Sequence, residues 1–372
     1  MPGADEATPV IRRLRLAVVG CGIGARHAQA VRALPERYEL VAVCDRDTNR
    51  AGRLGQELGR VATSSDFAAL LRHGDLDLVS VCTPSAMHFE HVLAALEAGV
   101  DVVCEKPVAG SLREIDFLAA TARAFGRRVF PVFQNRFGHG VRKLRHLVDA
   151  GVAGRRYLTV VETAWRRSAA YYATTWRRTW SGALGGALLN QAIHAHDLLF
   201  YVGGPARRVS AFTTTLVNPV ETDDCAAAAL EMADGSLASL AITLGSAAEL
   251  SRLRFCYERL VAESNTLPYA AASEPWRFQG IDAAADAAIA AALATFAPEP
   301  EGFAGQYVDI HRACTTGQAG AVTLDDARRS VELATALYAS AESGVPVQLP
   351  LNPDDLLYAR PLSAGRAGPG AS

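Results

Sequence analysis

Between Leu14 and Phe133, short runs of apolar, β-favouring residues recur with helix-like stretches between them: Leu14 to Val19, Tyr38 to Cys44, Leu76 to Cys82, Val100 to Cys104 and Val129 to Phe133. Strands that are apolar on both faces need cover on both faces. Most of the gaps, 10 to 25 residues long, leave room for a crossover helix, so the spacing predicts a parallel sheet clad by helices. One of those helices has a marked start, Ser111 followed three residues later by Glu114, the capping-box pattern. Beyond about residue 150 the pattern alternates, as in Tyr157 to Ala164 and Val209 to Thr215. There Cys225 to Met232 and Ser236 to Leu244 flank the turn-favouring pair Asp234-Gly235. An antiparallel sheet is expected, extended by Leu253 to Tyr257, Arg259 to Glu263 and Pro275 to Phe278. Helical patterns return from Asp282, the last over 324–342 between an N-cap at Thr323 and Gly344.

A chain of 372 residues with 50% hydrophobic and 20% charged composition is long enough for two cores in a soluble protein. The 37 Lys and Arg against 39 Asp and Glu leave no broad basic surface, which argues against a nucleic-acid partner. None of the seven cysteines forms a CxxC pair, and Cys44, Cys82 and Cys104 lie in or close apolar runs. They read as small core residues in a reducing compartment, neither a disulfide framework nor a metal site. No apolar signal segment follows a charged start, and the most Ala-rich run, Ala283 to Ala297, is interrupted by Asp286. No membrane association and a cytoplasmic location are expected. Residues 1–12 and 360–372 carry little periodicity and are expected to be mobile tails.

The first strand runs into Gly20-Cys21-Gly22-Ile23-Gly24-Ala25, where a helix should open. Glycines there let a backbone approach a pyrophosphate at a helix N-terminus, although a tight structural bend would use the same residues. Asp45, ending the second strand 25 positions after Gly20, makes the dinucleotide reading stronger. Its carboxylate would accept from the adenosine ribose and repel a 2′-phosphate by roughly 4 kcal/mol at about 4 Å in an effective dielectric near 20, favouring NAD over NADP. Arg46 leaves NADP open, unless it is simply solvated surface. Thr83-Pro84-Ser85, with His88 behind it, closes another strand at the same edge and is expected to line the cofactor, a plain capped turn being the alternative. Lys106, in Glu105-Lys106-Pro107 at the end of the Val100 to Cys104 run, would be costly to bury without a chemical task or a fixed partner. Further on, Asn190 and His194 share one face at helical spacing while His196 points elsewhere, so a metal pair there is geometrically poor. A lone helical histidine is more often a satisfied core or surface residue.

Together these residues, with Gln134-Asn135-Arg136-Phe137 and the closing stretch Ser340 to Pro350, resemble the glucose-fructose oxidoreductase, inositol dehydrogenase and rhizopine-catabolism family, Gfo/Idh/MocA. The resemblance implies an α/β chain. A Rossmann dinucleotide-binding domain over 13–135 would precede an α+β domain over 136–358 with an open, mainly antiparallel sheet, and the late helix can pack back on the first domain. That sheet would build the substrate pocket and a homodimer or homotetramer interface. A cis peptide before Pro107 would aim Lys106 into the site. Lys106 would contact the substrate hydroxyl and His194 would act as general acid/base. The family's helping aspartate is here Asn190, which takes no proton and can only orient substrate or His194. The stretch from Trp165 to Tyr172 resembles the segment beside nicotinamide and substrate, with core packing a rival role for its tryptophan. By that resemblance Glu105, Lys106, Gln134, Trp176 and Arg177 join Gly20, Gly22, Ile23, Gly24, Asp45, Arg46, Thr83, Pro84, Ser85 and His88 at the cofactor. Lys106, Arg136, Arg166, Tyr171, Asn190 and His194 would meet the substrate. The expected reaction is NAD-dependent oxidation of a secondary hydroxyl on a sugar, glycoside, sugar acid or cyclitol. Redox-neutral glycoside cleavage with retained NAD, and a non-catalytic regulator, are the alternatives.

Overall fold

The computed structural model describes residues 12–73 and 75–364. Six parallel strands form the first sheet in the order β3-β2-β1-β4-β5-β6, with β1 at Leu14–Val19, β2 at Tyr38–Cys44, β3 at Ala62–Ser64, β4 at Leu78–Val81, β5 at Asp101–Cys104 and β6 at Val129–Pro131. Leu16, Val18, Leu78, Val79, Val81 and Val102 are fully buried, as strands covered on both faces require. Because β1 lies between β2 and β4, the strand order reverses there and opens a crevice at the carboxyl ends of those two strands. The edge strand β3 was not expected. Ala62-Thr63-Ser64 has no apolar pattern and is a strand because it pairs with Ala42, Val43 and Cys44.

Eight strands form the second sheet: β7 (Arg156–Arg166), β8 (Ala206–Thr214), β9 (Cys225–Met232), β10 (Leu237–Thr243), β11 (Gly245–Tyr257), β12 (Leu260–Glu263), β13 (Arg277–Gly280) and β14 (Val347–Gln348). Their order is β13-β12-β11-β7-β10-β9-β8-β14, antiparallel except for the β7/β10 pair. The β9/β10 hairpin turns at Asp234-Gly235, where Gly235 takes φ +82°, and the carboxylate of Asp234 accepts from the Ser236 amide and hydroxyl. One face packs on helices Ile193–Gly203 and Leu324–Ser343 in a continuous core that includes Val161, Leu199, Val209, Leu230, Leu240 and Leu337. The other face is open.

Two late helices tie the sheets together. In Leu324–Ser343 the N-cap is Thr323, boxed with Asp326, and the end is Gly344 at φ +71°. Arg328 on it pairs with Asp116 at 3.0 Å, on the helix Leu112–Ala124 beside the first sheet. In that latter helix Ser111 accepts from the Glu114 amide, while the Glu114 carboxylate accepts from Gly110 rather than from Ser111, so the box is shifted by one residue. Helix Gly302–Thr316, which a division at residue 135 assigns to the second domain, buries Tyr307, Ile310 and Ala313 against Leu16, Tyr38, Val43 and Phe130 of the first. Part of the two stretches expected to be mobile is bound to the fold. Arg12 accepts from His311 and Leu362 is buried, its amide bonded to Gly110, whereas 1–11 and 365–372 lie outside the described residues. Among the described residues no helix is long and apolar enough to cross a membrane. All seven cysteines are free thiols.

Candidate active site

A cavity of about 1350 Å³ opens at the crevice and runs to the second sheet. Gly20 and Gly22 begin it. A Cβ on Gly20, at φ +90°, would fall 2.4 Å from the Cys82 carbonyl, so only glycine fits, whereas one on Gly22 would meet nothing within 4 Å. Gly22, which presents bare backbone, and Ile23 line the cavity at the N-terminus of helix Gly24–Arg32. Gly24 does not line it. Its place is against β1, where a Cβ would lie 2.7 Å from Val18 Cγ1, so it lets helix and strand approach. Asp45 and Arg46 line the next part of the wall. One carboxylate oxygen of Asp45 accepts from the Cys21 amide at 2.8 Å and from Arg50 at 3.3 Å. Arg50 and Arg26, both in the lining, were not picked out from sequence, because a basic residue on an exposed helix carries no local signal.

Thr83, Pro84 and Ser85 line the cavity at the end of β4. His88 behind them is buried with Nδ1 2.7 Å from the Pro107 carbonyl and Nε2 2.8 Å from that of Thr83, so it brackets this turn to the Lys106 loop. Burial lowers its pKa. The Lys106–Pro107 peptide is cis. Glu105 is clamped from behind by the fully buried His27, whose Nε2 lies 3.1 Å from Oε1, and its other oxygen accepts from the Lys106 amide at 3.2 Å. Burial opposes ionisation of Glu105, but the His27 hydrogen bond and the His27 and Lys106 charges hold the carboxyl down at about 2. Ser80 and Tyr307 close the network on His27 Nδ1 at 2.8 and 2.9 Å. His27 was missed in the sequence, since its partners come from three other elements.

Lys106 Nζ reaches across to donate to the Asn190 backbone carbonyl at 2.7 Å. Burial lowers its pKa; Glu105 opposes that shift and the Arg167 charge adds to it. Asn190 sits in a π-helical turn, Ala187–Gln191, and donates its side-chain amide to the carbonyls of Ala183 and Gly185 at 3.0 and 2.5 Å. The expected orienting of substrate or His194 is therefore not what that amide nitrogen does. It fixes the turn, and the turn's carbonyl holds Lys106. His194 lines the same cavity, with Nδ1 buried and without a protein partner, and burial followed by the Lys106 charge pushes its pKa down to about 3. His196 is fully buried and outside this lining.

Gln134, Tyr171, Trp176 and Arg177 also line the cavity, and the Gln134 Oε1 is buried with no partner. Two expected substrate contacts go elsewhere. Arg136 is buried in a bidentate pair with Asp197 at 2.6 and 2.8 Å and a further pair with Asp326 at 3.0 Å. Burial disfavours its charge, but those carboxylates, Asp197 first, keep it protonated. Arg166 is exposed and outside the lining, its amide bound to Glu249. Its neighbours Trp165 and Arg167 line the cavity instead, as alternation at a strand end dictates. Gln191 and Tyr269 complete that end, the former donating to Tyr171 at 3.1 Å.

Residues 14–133 match the oxidoreductase family model with an NAD-binding Rossmann fold, and residues 141–260 match the GFO/IDH/MocA C-terminal domain. The chain belongs to the Gfo/Idh/MocA oxidoreductase family. It is 35% identical over 192 residues to a D-glucoside 3-dehydrogenase of Escherichia coli (strain K12), covering 51% of this chain and 54% of that protein. It is 36% identical over 143 residues to inositol 2-dehydrogenase 3 of Saccharopolyspora erythraea, covering 38% and 42%. The match thus spans about half the length of these curated relatives. Among solved structures, the WlbA dehydrogenase from Bordetella pertussis, in complex with NADH and UDP-GlcNAcA, superposes with a TM-score of 0.80 at 28% identity over 92% of this chain and 100% of that one. The bare backbone at Gly22, the helix N-terminus behind it and the unpartnered Gln134 oxygen fit the dinucleotide that this family binds.

Proposed function

We propose that this protein is an NAD-dependent dehydrogenase acting on a secondary hydroxyl of a sugar, glycoside, sugar acid or cyclitol. The observation that carries the reading is that the Lys106 ammonium and the His194 ring, from different sheets' connections, line one cavity with the glycine turn. Bound along Gly20 to Ile23, Asp45 and Thr83 to Ser85, with Trp176 and Arg177 at its far end, the dinucleotide supplies the hydride acceptor. His194 is neutral at physiological pH because burial disfavours its imidazolium, so its ring can accept the hydroxyl proton. Lys106, held by the Asn190 carbonyl, has donors left to stabilise the alkoxide. A division of labour near residue 135 follows, the cofactor held mainly by 13–135 and the substrate by 136–358. Related dehydrogenases acting on a D-glucoside and on inositol support a polyol substrate.

The test is NAD reduction against a panel of sugars, glycosides, sugar acids and inositols, repeated with Lys106→Ala. Turnover should fall about a hundredfold or more with NADH affinity nearly unchanged, as for loss of an alkoxide-stabilising group. Unchanged turnover in that variant, or no turnover with any polyol, defeats the reading. The open sheet face supports a second proposal, that two copies associate there. The register sets Phe212 beside Ala227 and Ala241, Ala229 beside Ser239 and Val160, and Leu237 beside Leu158, with Phe212 77% and Leu237 55% exposed.

A further inference from the structure

Arg167 is a cation at the substrate end that is built in place rather than left on a flexible stem. Strand alternation turns Trp165 and Arg167 to the cavity and Arg166 away from it. The guanidinium lies against three rings, those of Trp165, Tyr171 and Tyr269, at 5.3, 4.9 and 5.2 Å from their centroids. One terminal nitrogen donates to the Tyr269 hydroxyl at 2.5 Å and to the Arg166 carbonyl at 3.1 Å. Its Nε is buried without a partner. The nearest carboxylate is Glu249 at 3.9 Å, which already accepts from the Arg166 amide and the Tyr269 hydroxyl. Arg167 is therefore pre-ordered and under-paired.

The charge balance of the cavity points the same way. Arg26, Arg46, Arg50, Lys106, Arg167 and Arg177 line it against Asp45, Asp66 and Glu105, and Glu105 is committed to His27 and the Lys106 amide. An oxidised dinucleotide carries two phosphate charges and one pyridinium charge, a net of one negative. Among the described lining residues, two positive charges then remain uncompensated. Resting on the dehydrogenase reading above, we infer that Arg167 binds a carboxylate of the substrate, so that a sugar acid with its carboxylate close to the oxidised hydroxyl is preferred over its neutral parent. Such an anion would sit within the field of both Lys106 and His194. Each has its pKa lowered, chiefly by burial and in part by a neighbouring cation, and a negative charge would relieve both. His194 becomes a stronger base when the anion is in place, which couples recognition of the acid to proton transfer.

The experiment is calorimetric titration of the NADH-loaded protein with several hexoses, each beside its hexuronate, at low and high salt, with steady-state turnover measured on the same pairs. At least one hexuronate should bind about tenfold or more tightly than its parent, as expected for a charge-assisted contact, and that margin should shrink with salt. Arg167→Gln should erase the margin between each acid and its parent. Arg167→Lys should keep part of it, because the charge remains but the planar fork is lost. No hexuronate exceeding its parent in the wild type overturns the inference, as does an acid preference that survives Arg167→Gln. Should that variant not fold, a margin reduced in Arg167→Lys or at high salt supports the inference, and a margin unaffected by either overturns it. Neutral sugars oxidised in preference to their acids sink this inference and leave the dehydrogenase reading intact. Acids that bind but are never oxidised do the reverse.

Discussion

Four histidines show how environment assigns chemistry that residue type leaves open. His27 faces the Glu105 carboxylate, His88 bridges two carbonyls, His194 lines the cavity with its Nδ1 buried and unpartnered, and His196 has neither ring nitrogen bonded to protein. Spacing alone separated His194 from His196 in the sequence, and it put the right one on the cavity. It could not have foreseen His27, whose partners lie on β4, just past β5 and on the helix Gly302–Thr316. His196 allows a clean test of the cost of burying such a ring. Burial holds its pKa down at about 3. An unfolded histidine takes up a proton as pH falls through about 6.5, while the folded one stays neutral, so the unfolded state binds more protons and stability falls as pH drops from 6.5 toward 3. At pH 5 that linkage costs about 2 kcal/mol. Urea unfolding of His196→Leu should therefore gain about 2 kcal/mol on the wild type at pH 5 relative to pH 8. Parallel stability curves for the two proteins would contradict the burial argument.

At the scale of elements, the strands β1 and β2 were legible to the residue because both faces are apolar, and the β9/β10 hairpin because Asp234-Gly235 suits its turn. Less visible was anything that depends on a partner far along the chain. β3 is a strand by pairing, and Arg136 is a structural ion-pair hub because Asp197 and Asp326 converge on it, 61 residues away in the nearer case. The Arg166 expectation failed by one step of a period of two, which the end of β7 makes decisive. The π turn at Ala187–Gln191 is the sharpest case. Helical spacing placed Asn190 beside His194, yet the wider turn leaves its amide bonded to two backbone carbonyls and its own carbonyl to Lys106. Asn190→Asp would replace two donors with an acceptor facing those carbonyls, at a cost of about 1–3 kcal/mol. We expect that variant to melt lower than both the wild type and Asn190→Ala and to lose turnover, although the substitution restores the residue type implied by the family resemblance. Calorimetric melting of the three proteins checks this; an Asn190→Asp protein as stable as the wild type would mean that the amide is oriented the other way.

For the whole molecule, the cavity walls come from both sheets yet belong to one packed body. Helix Gly302–Thr316 closes the first core, and helix Leu324–Ser343 lies on the second sheet while pairing through Arg328 with Asp116. Lys106 and His194 therefore line one cavity without a hinge. That same packing uses only one face of the eight-stranded sheet. The other exposes a band from Phe212 through Ala227 and Ala241 and from Leu237 to Leu158, with ion pairs Arg208–Glu231 and Arg252–Glu162 at its margins. An apolar centre with a charged rim is the composition of an interface core rather than of a solvated sheet. In a two-fold contact each substituted residue counts twice, so the double substitution Leu158→Asp, Leu237→Asp buries four carboxylates. Light scattering should give the wild type a mass of two or more chains and the variant a mass of one, with NADH affinity unchanged because the cavity lies on the opposite side of the sheet's helical layer. A wild type that is monomeric at micromolar concentration, or a variant of unaltered mass, would leave the apolar band without its partner.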